Sequence, residues 1–581
     1  YKASNGGESR VRSDWNLTTA ERKRILLNNI YGVDIDRQAV EVTKLSLILK
    51  VLEEENEETA SKQLTLFKER ALPSLHENIK CGNSLIGSDI YQDVQVTLDD
   101  REVVKRINAF DWDQEFPEIM QRGGFDAVIG NPPYVRQESI KEQKGYFQTH
   151  YATYQGTADL YVYFIEKDIS LLRKGGLFSY IVANKWMRAN YGKPLRSWLV
   201  KKRIEEIIDF GDLPVFTTAT TYPCILRVRN DTSTNSFQAL SVKTLTFTNL
   251  NEYVCNNAYQ IELSNLSEFA WTLTEPKSQN LIRKIQNAGI PLDDYVEGKI
   301  FYGIKTGLNK AFIIDEDTRE QLIREDPKNK EIIKPFLEGK DIRRYRIFSP
   351  IEKYLLYIPW HFPLNQGNNI SGVSREAEIQ FKKDYPVIFQ YLSKFKEELT
   401  NRNISETGVR YEWYALQRFG SDYFTEFEKQ KICWGNLSQE PPFAYDLDYH
   451  YINAPACFLI SNDGYFLLGC LNSALLWWFL QKISAERRGG FIEAKPMYVS
   501  QIPIRSINFS DPADKACHDK IVTLVERMLT LHKQKADVKT DHDKNLIERQ
   551  IEATDKQIDA LVYELYGLTS EEIQIVEGVG K

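Results

Sequence analysis

The chain has 581 residues, a formal net charge of −7, 42% hydrophobic and 27% charged residues. That length exceeds one hydrophobic core and fits two or three domains, with the composition of an ordinary soluble globular protein rather than a disordered or fibrous one. No apolar run approaches the roughly 20 residues that cross a bilayer; seven scattered cysteines without a C-x-x-C pair suit a reducing cytoplasm with no zinc or disulfide framework; and the acidic balance disfavours a nucleic-acid partner unless basic residues are concentrated locally.

The polar start YKASNGGESR opens on Tyr1, carries no signal-peptide pattern, and reads as an interruption of a longer protein. From about Ile30 to Arg229 short apolar strands alternate with helical patterns, the signature of a parallel α/β sheet. Strands are expected over 30–35, 79–85, 125–130, 177–183 and 204–210, with a further, hairpin-paired strand over 221–228. Asp36 is placed to cap a helix whose Val42, Leu45, Leu49 and Leu52 share one face. Asp159 opens a second amphipathic helix that stops at Gly175-Gly176. After about Thr232 the alternation is lost, and tyrosine, tryptophan and arginine become dense. From Asp511 to Gly567 the chain turns charged and helical, which predicts two long helices in a coiled hairpin. The expected division is therefore 1–235, 236–510 and 511–581.

In an open α/β sheet, ligands bind beyond the carboxyl ends of the strands. Asp34 follows Tyr31-Gly32-Val33, where a carboxylate would accept hydrogen bonds from both hydroxyls of a ribose. The alternative, a helix-capping acid, suits Asp36 better. Asn83, in CGNSL, follows the next strand, where an amide would read an adenine edge. The third end is FDAVIGNPPY. Its prolines fix φ and remove two backbone donors, leaving a stiff corner of acceptors beside a flat ring. An exocyclic amine has its lone pair delocalised into its ring and attacks poorly. The Asn131 side-chain oxygen and the Pro132 carbonyl would hold its two hydrogens, while Tyr134 stacks on the base for ~1–3 kcal/mol. A methyl donor placed in line then gains much of its rate from proximity.

Asp34 in YGVDID, Asn83 in CGNSLIG and NPPY at 131–134 resemble the ordered motifs of gamma-class adenine-N6 DNA methyltransferases. Nearly the whole chain is similar to the methylase plus target-recognition portion of type IIG restriction–modification enzymes. That similarity includes IKTGLNKAFII, RRGGFIEAKPMYVSQIPI and LVYELYGLTSEE. The resemblance implies an α/β, Rossmann-like class I methyltransferase domain, then a mixed α+β target-recognition domain and C-terminal helices. It implies S-adenosyl-L-methionine as cofactor, held by Asp34, Ile35, Asn83, Ser84 and Asn131; the family often has Asp where Asn83 stands. The catalytic set it implies is Asn131, Pro132, Tyr134 and Phe216. Phe216, in LPVFTTATTYP, would cover the second face of the base, with a core phenylalanine as the even alternative. A target base is out of reach inside a duplex, so flipping is implied. The family's glycine-rich cofactor loop belongs on a strand before Ile30, and Gly6-Gly7 does not match it. That loop is expected upstream of Tyr1, as is any nuclease.

Lys334, Lys340, Arg343, Arg344 and Arg346 outnumber Glu338 and Asp341 around Tyr345. Arg402, Arg410 and Arg418 surround Tyr411, Trp413 and Tyr414, and Arg487-Arg488 precede a Gly-Gly turn. Taken alone, any one cluster reads as a solvated basic face rather than a base reader. Attached to a DNA methylase, Lys305, Arg343, Arg344, Arg410, Arg418, Arg487 and Arg488 are expected along a cleft for double-stranded DNA, mostly as phosphate contacts. Glu493-Ala494-Lys495 has an E-x-K form but lacks the preceding acid of a nuclease, and the histidines have no metal-ligand spacing. The reading is a cytoplasmic adenine-N6 DNA methyltransferase with a fused recognition domain, in a restriction–modification or phage-defence system. The alternatives are a specificity subunit with an incomplete methylase domain, and an RNA or protein-glutamine methyltransferase.

Overall fold

The structure, a computed structural model, describes residues 19–52, 73–93, 101–135, 143–216, 221–266, 270–348, 352–364, 370, 372–403, 410–487 and 489–578. The chain forms two units. The first takes residues 1–182, 194–205 and 225–234; the second takes 183–193, 206–224 and 235–581.

In the first unit, α1 (Thr19–Asn29) leads into β1 (Gly32–Asp34), α2 (Arg37–Leu52) and β2 (Ile79–Cys81). β1 and β2 pair in parallel, Asp34 opposite Cys81. Leu26, Val40, Val51, Leu75 and Ile79 form the small core beneath them. Asp36 caps α2 by accepting from the Gln38 amide. The shared face lies open: Val42, Leu45 and Leu49 are 63, 57 and 58% exposed. The helix instead turns Val40 and Val51 inward, with Leu47 and Ile48 beside them.

β3 (Phe125–Gly130), β4 (Leu172–Ala183) and β6 (Pro223–Thr232) are consecutive neighbours in one sheet, so the strand expected over 221–228 lies beside β4. Between β3 and β4 run α3 (Lys144–His150) and α4 (Tyr161–Ser170). α4 is shorter than expected at both ends. Gly175-Gly176 does not stop it but lies inside β4: Gly175 takes φ +78°, and the register slips between Phe125, opposite Leu172, and Ala127, opposite Leu177. The glycines therefore make a bulge, which expels the extra residues of β4 and restores parallel pairing through Gly130 opposite Tyr180. β5 (Lys202–Asp209) is divided between the units.

In the second unit the end of β5 pairs in parallel with β7 (Ser236–Ser241), and β7 pairs antiparallel with β8 (Tyr259–Glu262). Two four-stranded sheets follow. One orders Ile300–Tyr302, Cys457–Leu459, Lys431–Trp434 and Ala444–Asp446; the other orders Ile313–Asp315, Lys353–Leu356, Ile333–Leu337 and Tyr451–Ile452. Apolar helices Gly464–Leu471 and Ala474–Ile483 pack on the long pair Pro512–Asp537 and Asp541–Leu565. A Cβ on Gly469 would come within 2.8 Å of Ile521 and 2.9 Å of Val525, so glycine lets these helices touch. The C-terminal helices thus share one core with the region before them. No single helix among the described residues is long and apolar enough to cross a membrane.

Candidate functional site

The carboxyl ends of β1 and β2 bring Asp34 and Asn83 side by side. Gly82 donates to the Asp34 carbonyl at 2.9 Å, and a Cβ there would lie 2.5 Å from the Phe110 ring. The Asp34 side chain is exposed; one oxygen accepts from the Asp36 amide at 2.8 Å, and the other has no partner among the described residues. Ile35 beside it is 54% exposed. Asn83 is buried. Its backbone N–H donates to Asn108 at 2.6 Å, and its side-chain oxygen accepts from Leu85 at 3.2 Å. The Ser84 carbonyl accepts from the Trp112 indole at 3.0 Å. Trp112 belongs to a cluster with Tyr31, Phe110, Phe116 and Phe125, whose ring centroids lie 5.2–6.0 Å apart. Tyr31 precedes β1 and Phe125 begins β3, so the strands carrying Asp34 and Asn131 start from the same aromatic cluster.

The corner follows directly on β3. Asn131 and Pro133 are exposed, Pro132 is buried and Tyr134 is half-buried. The Asn131 side chain has no hydrogen-bond partner among the described residues, which leaves its amide available to a ligand. Tyr134 donates to the Ile181 carbonyl at 3.4 Å, and Leu160 donates to the Val135 carbonyl at 3.0 Å. The loop after β2 reaches the same helices: Tyr151 donates to the Leu85 carbonyl at 2.6 Å, and Gly87 donates to the Tyr146 hydroxyl at 2.9 Å. Phe147, Tyr151 and Tyr163 cluster between these points with centroids 4.5–5.6 Å apart, Phe147 stacked on Tyr163 and Tyr151 edge-on to both. Asn83 and Asn131, 48 positions apart, therefore hang from one platform. Burial pushes the Tyr146 hydroxyl up to about 12 and Tyr151 higher still, so both stay protonated donors.

Asp168 was not singled out in the sequence. It is a buried acid on α4 that accepts from the Tyr180 hydroxyl of β4. Burial pushes its carboxyl from 3.8 to about 7, against the pull of Tyr180 and Lys167. The signal was legible: Asp168 lies on the apolar stripe of Tyr161, Ile165 and Ile169, where an acid needs a partner.

Phe216 lies in the second unit, half-buried, in the loop after β5. That loop is tied down by Asp209, which accepts from Asn184 at 2.8 Å and from Gly211 at 3.0 Å. Asn184, Asp209 and Gly211 line a cavity of about 1050 Å³ together with Tyr222, Arg487, Glu493 and Lys495.

The basic residues divide by what already holds them. Lys305 and Arg418 are exposed and exchange backbone hydrogen bonds at 3.0 and 2.9 Å, so two cations distant in sequence stand side by side. Arg410 and Arg343 are also exposed. Arg344 instead makes a bidentate pair with Asp555, both contacts 2.7 Å, and donates to the Asn472 carbonyl at 2.6 Å. Arg402 is buried, donating to Thr306, Trp413 and Ala415 carbonyls. Arg487 pairs with buried Glu493, which also holds Lys495 at 2.8 Å. Arg488 lies outside the described residues. Among the described residues no three side chains are grouped to hold a metal ion.

Residues 28–216 match the model of the Eco57I restriction-modification methylase family, and residues 334–504 match that of the TaqI-like C-terminal specificity domain. Relatives include the type II restriction enzyme and methyltransferase RM.Eco57I of Escherichia coli, 28% identical over 96% of this chain and 56% of that protein. The type II methyltransferase M.BstVI of Geobacillus stearothermophilus is 23% identical over 80% of this chain and 77% of its own. The chain thus spans little more than half the length of RM.Eco57I. The solved structure of the Type IIL restriction-modification enzyme MmeI in complex with DNA shares the fold, with TM-score 0.52 and 13% identity over 97% of this chain and 74% of that one.

Proposed function

We propose, for a chain that joins an Eco57I restriction-modification methylase segment to a TaqI-like specificity segment, that it is a site-specific DNA methyltransferase acting on N6 of a flipped adenine in double-stranded DNA. It would work with S-adenosylmethionine in the cytoplasm, within a type IIG restriction–modification or related phage-defence protein. The observation that carries this reading is the Asn131–Tyr134 corner: an exposed, unengaged amide at a strand end, on the platform that also holds the Asn83 loop.

The residues at the first two strand ends fit the nucleoside half of the cofactor. Asp34 offers an exposed carboxylate oxygen to the ribose, with Ile35 beside it. Asn83 and Ser84 would form the neighbouring wall for the adenine, and the family resemblance adds Asn131 to the cofactor contacts. Bound S-adenosylmethionine supplies an electrophilic methyl group. Everything else is asked of the chain. The Asn131 oxygen and the Pro132 carbonyl accept the two amine hydrogens and concentrate the lone pair on nitrogen. Tyr134 stacks on the flipped ring, repaying part of the few kcal/mol of unstacking, and the family resemblance gives Phe216 the second stacking role. Lys305, Arg343, Arg410 and Arg418 take phosphates and fix the register on the duplex. The specificity segment favours this reading over an RNA or glutamine substrate.

The test is Asn131→Ala in the complete protein encoded by the gene, with tritiated S-adenosylmethionine and bacterial DNA that the protein has not modified. Label should appear as N6-methyladenine with the wild type. In the variant it should fall to a small fraction, with DNA binding nearly unchanged. Retained turnover would remove Asn131 from the reaction.

A further inference from the structure

Behind the corner lies a pair of buried polar side chains that the proposed chemistry does not use. Tyr180 stands opposite Gly130 in the β3–β4 register, and its ring approaches so closely that a Cβ on Gly130 would lie 2.7 Å from Cε1 and 3.0 Å from Cζ. The last strand residue before Asn131 thus rests directly on the Tyr180 ring. The ring is itself fixed: its hydroxyl donates to Asp168 on α4, and both residues are buried. The same helix and strand hold the other side of the corner. Leu160, just ahead of α4, binds the Val135 carbonyl at 3.0 Å. The Ile181 carbonyl, next to Tyr180, takes the Tyr134 hydroxyl at 3.4 Å. The corner is therefore gripped before Asn131 and after Pro133, while the Asn131 side chain points out unengaged.

We infer that Asp168 and Tyr180 are positioning residues for methyl transfer, acting through Gly130 to fix where Asn131 and Pro132 present their oxygens. This rests on the reading of the corner given above. A fold needs no buried carboxylate there: a phenylalanine facing a leucine would fill the same volume without burying a polar group. What the hydroxyl–carboxylate bond adds is orientation of the ring under Gly130. Acceptors that must meet a flat amine tolerate little error, since an ångström of displacement in an attack geometry costs about a hundredfold in rate.

The experiment compares four substitutions in the complete protein: Tyr180→Phe, Asp168→Leu, Asp168→Asn and Asn131→Ala. Tyr180→Phe keeps the ring and loses the tie; Asp168→Leu loses it from the other side; Asp168→Asn keeps an acceptor for the hydroxyl. We expect kcat to fall at least tenfold in Tyr180→Phe and Asp168→Leu, with KM for DNA and for S-adenosylmethionine within about twofold, and Asp168→Asn to recover to within about threefold of wild type. Amide hydrogen exchange over residues 127–135 should rise in Tyr180→Phe and Asp168→Leu but not in Asp168→Asn. Wild-type kcat and unchanged exchange in Asp168→Leu would overturn the inference. So would a failure of Asp168→Asn to recover either readout, since the side chain would then matter for something other than its bond to Tyr180. Turnover surviving in Asn131→Ala would instead overturn the reading of the corner, while the exchange result would still decide whether the pair holds it.

Discussion

Asp168 should make the stability of the first unit depend on pH in a direction opposite to that of most carboxylates. It is 5% exposed, and burial raises its carboxyl from 3.8 to about 7. The titratable groups facing it are Tyr180 from β4, Tyr151 from the end of α3, and Lys167 on its own helix. Unfolded, the same side chain ionises near pH ~3.9. Between those values the folded chain holds a proton that the unfolded chain has released, so stability falls as pH rises. The loss begins near pH 4 and is complete above about 7. At about 1.4 kcal/mol per tenfold, the whole window amounts to roughly 4 kcal/mol, and the part between pH 5 and 7 to roughly 2–3 kcal/mol. Asp168→Asn keeps an acceptor for Tyr180 and has no charge to desolvate. Its melting temperature should match wild type most closely near pH 4–5 and exceed it by pH 8. The gap should reach roughly 5–10 °C, for a unit whose midpoint moves about 2–4 °C per kcal/mol. Differential scanning fluorimetry of both proteins across that range reads it. Parallel curves from pH 5 to 8 would refute the reasoning, because they would mean that the carboxyl titrates alike in the folded and unfolded chain.

With a fluorescent adenine analogue at the target position, Tyr134→Ala and Phe216→Ala should each change the emission of the flipped base; a silent Phe216→Ala would make that ring part of the fold alone. Arg343→Ala should flatten the salt dependence of DNA affinity by about one unit of slope, and a slope equal to wild type would put Arg343 outside the cleft. Arg344→Ala should act differently, stripping a partly buried aspartate of its bidentate partner and lowering stability by a few kcal/mol; a normal melt with weakened DNA binding would reverse that assignment.

What the sequence made legible was local geometry tied to one short peptide. The Asn131–Tyr134 corner needs two prolines, an amide and a ring in fixed order, so the motif carries its own geometry wherever β3 ends. Asp34 and Asn83 follow the same logic, each standing at or just past the carboxyl end of a short strand. Asp168 announces itself as an acid on an apolar stripe, but its partner Tyr180 does not, and what places Tyr180 under Gly130 is a parallel register that resumes only after the irregularity at Gly175-Gly176. Arg343 and Arg344 are adjacent and chemically alike, yet one is exposed and the other is bound to Asp555, more than two hundred positions away. Clustering in the sequence marks basic residues as candidates for DNA contact; the fold says which of them already pair with a carboxylate.

The face of α2 makes a different point. Three–four spacing puts Val42, Leu45 and Leu49 on one stripe of the helix, but periodicity names no partner for it. In the structure those three stay more than half exposed, and so does Ile129 on β3, at 82%. Each forgoes on the order of 1 kcal/mol of burial relative to a closed core. Ile35, equally bare, adjoins Asp34, and Ile129 lies two residues before Asn131. The uncovered apolar surface therefore borders both the nucleoside end and the amine end of the proposed site. Hydrophobic surface is costly to leave open where nothing uses it and is commonly a contact site where it persists. In the first unit the polar corner is held from β4 and from the residue ahead of α4, while Ile35 and Ile129 near it are exposed.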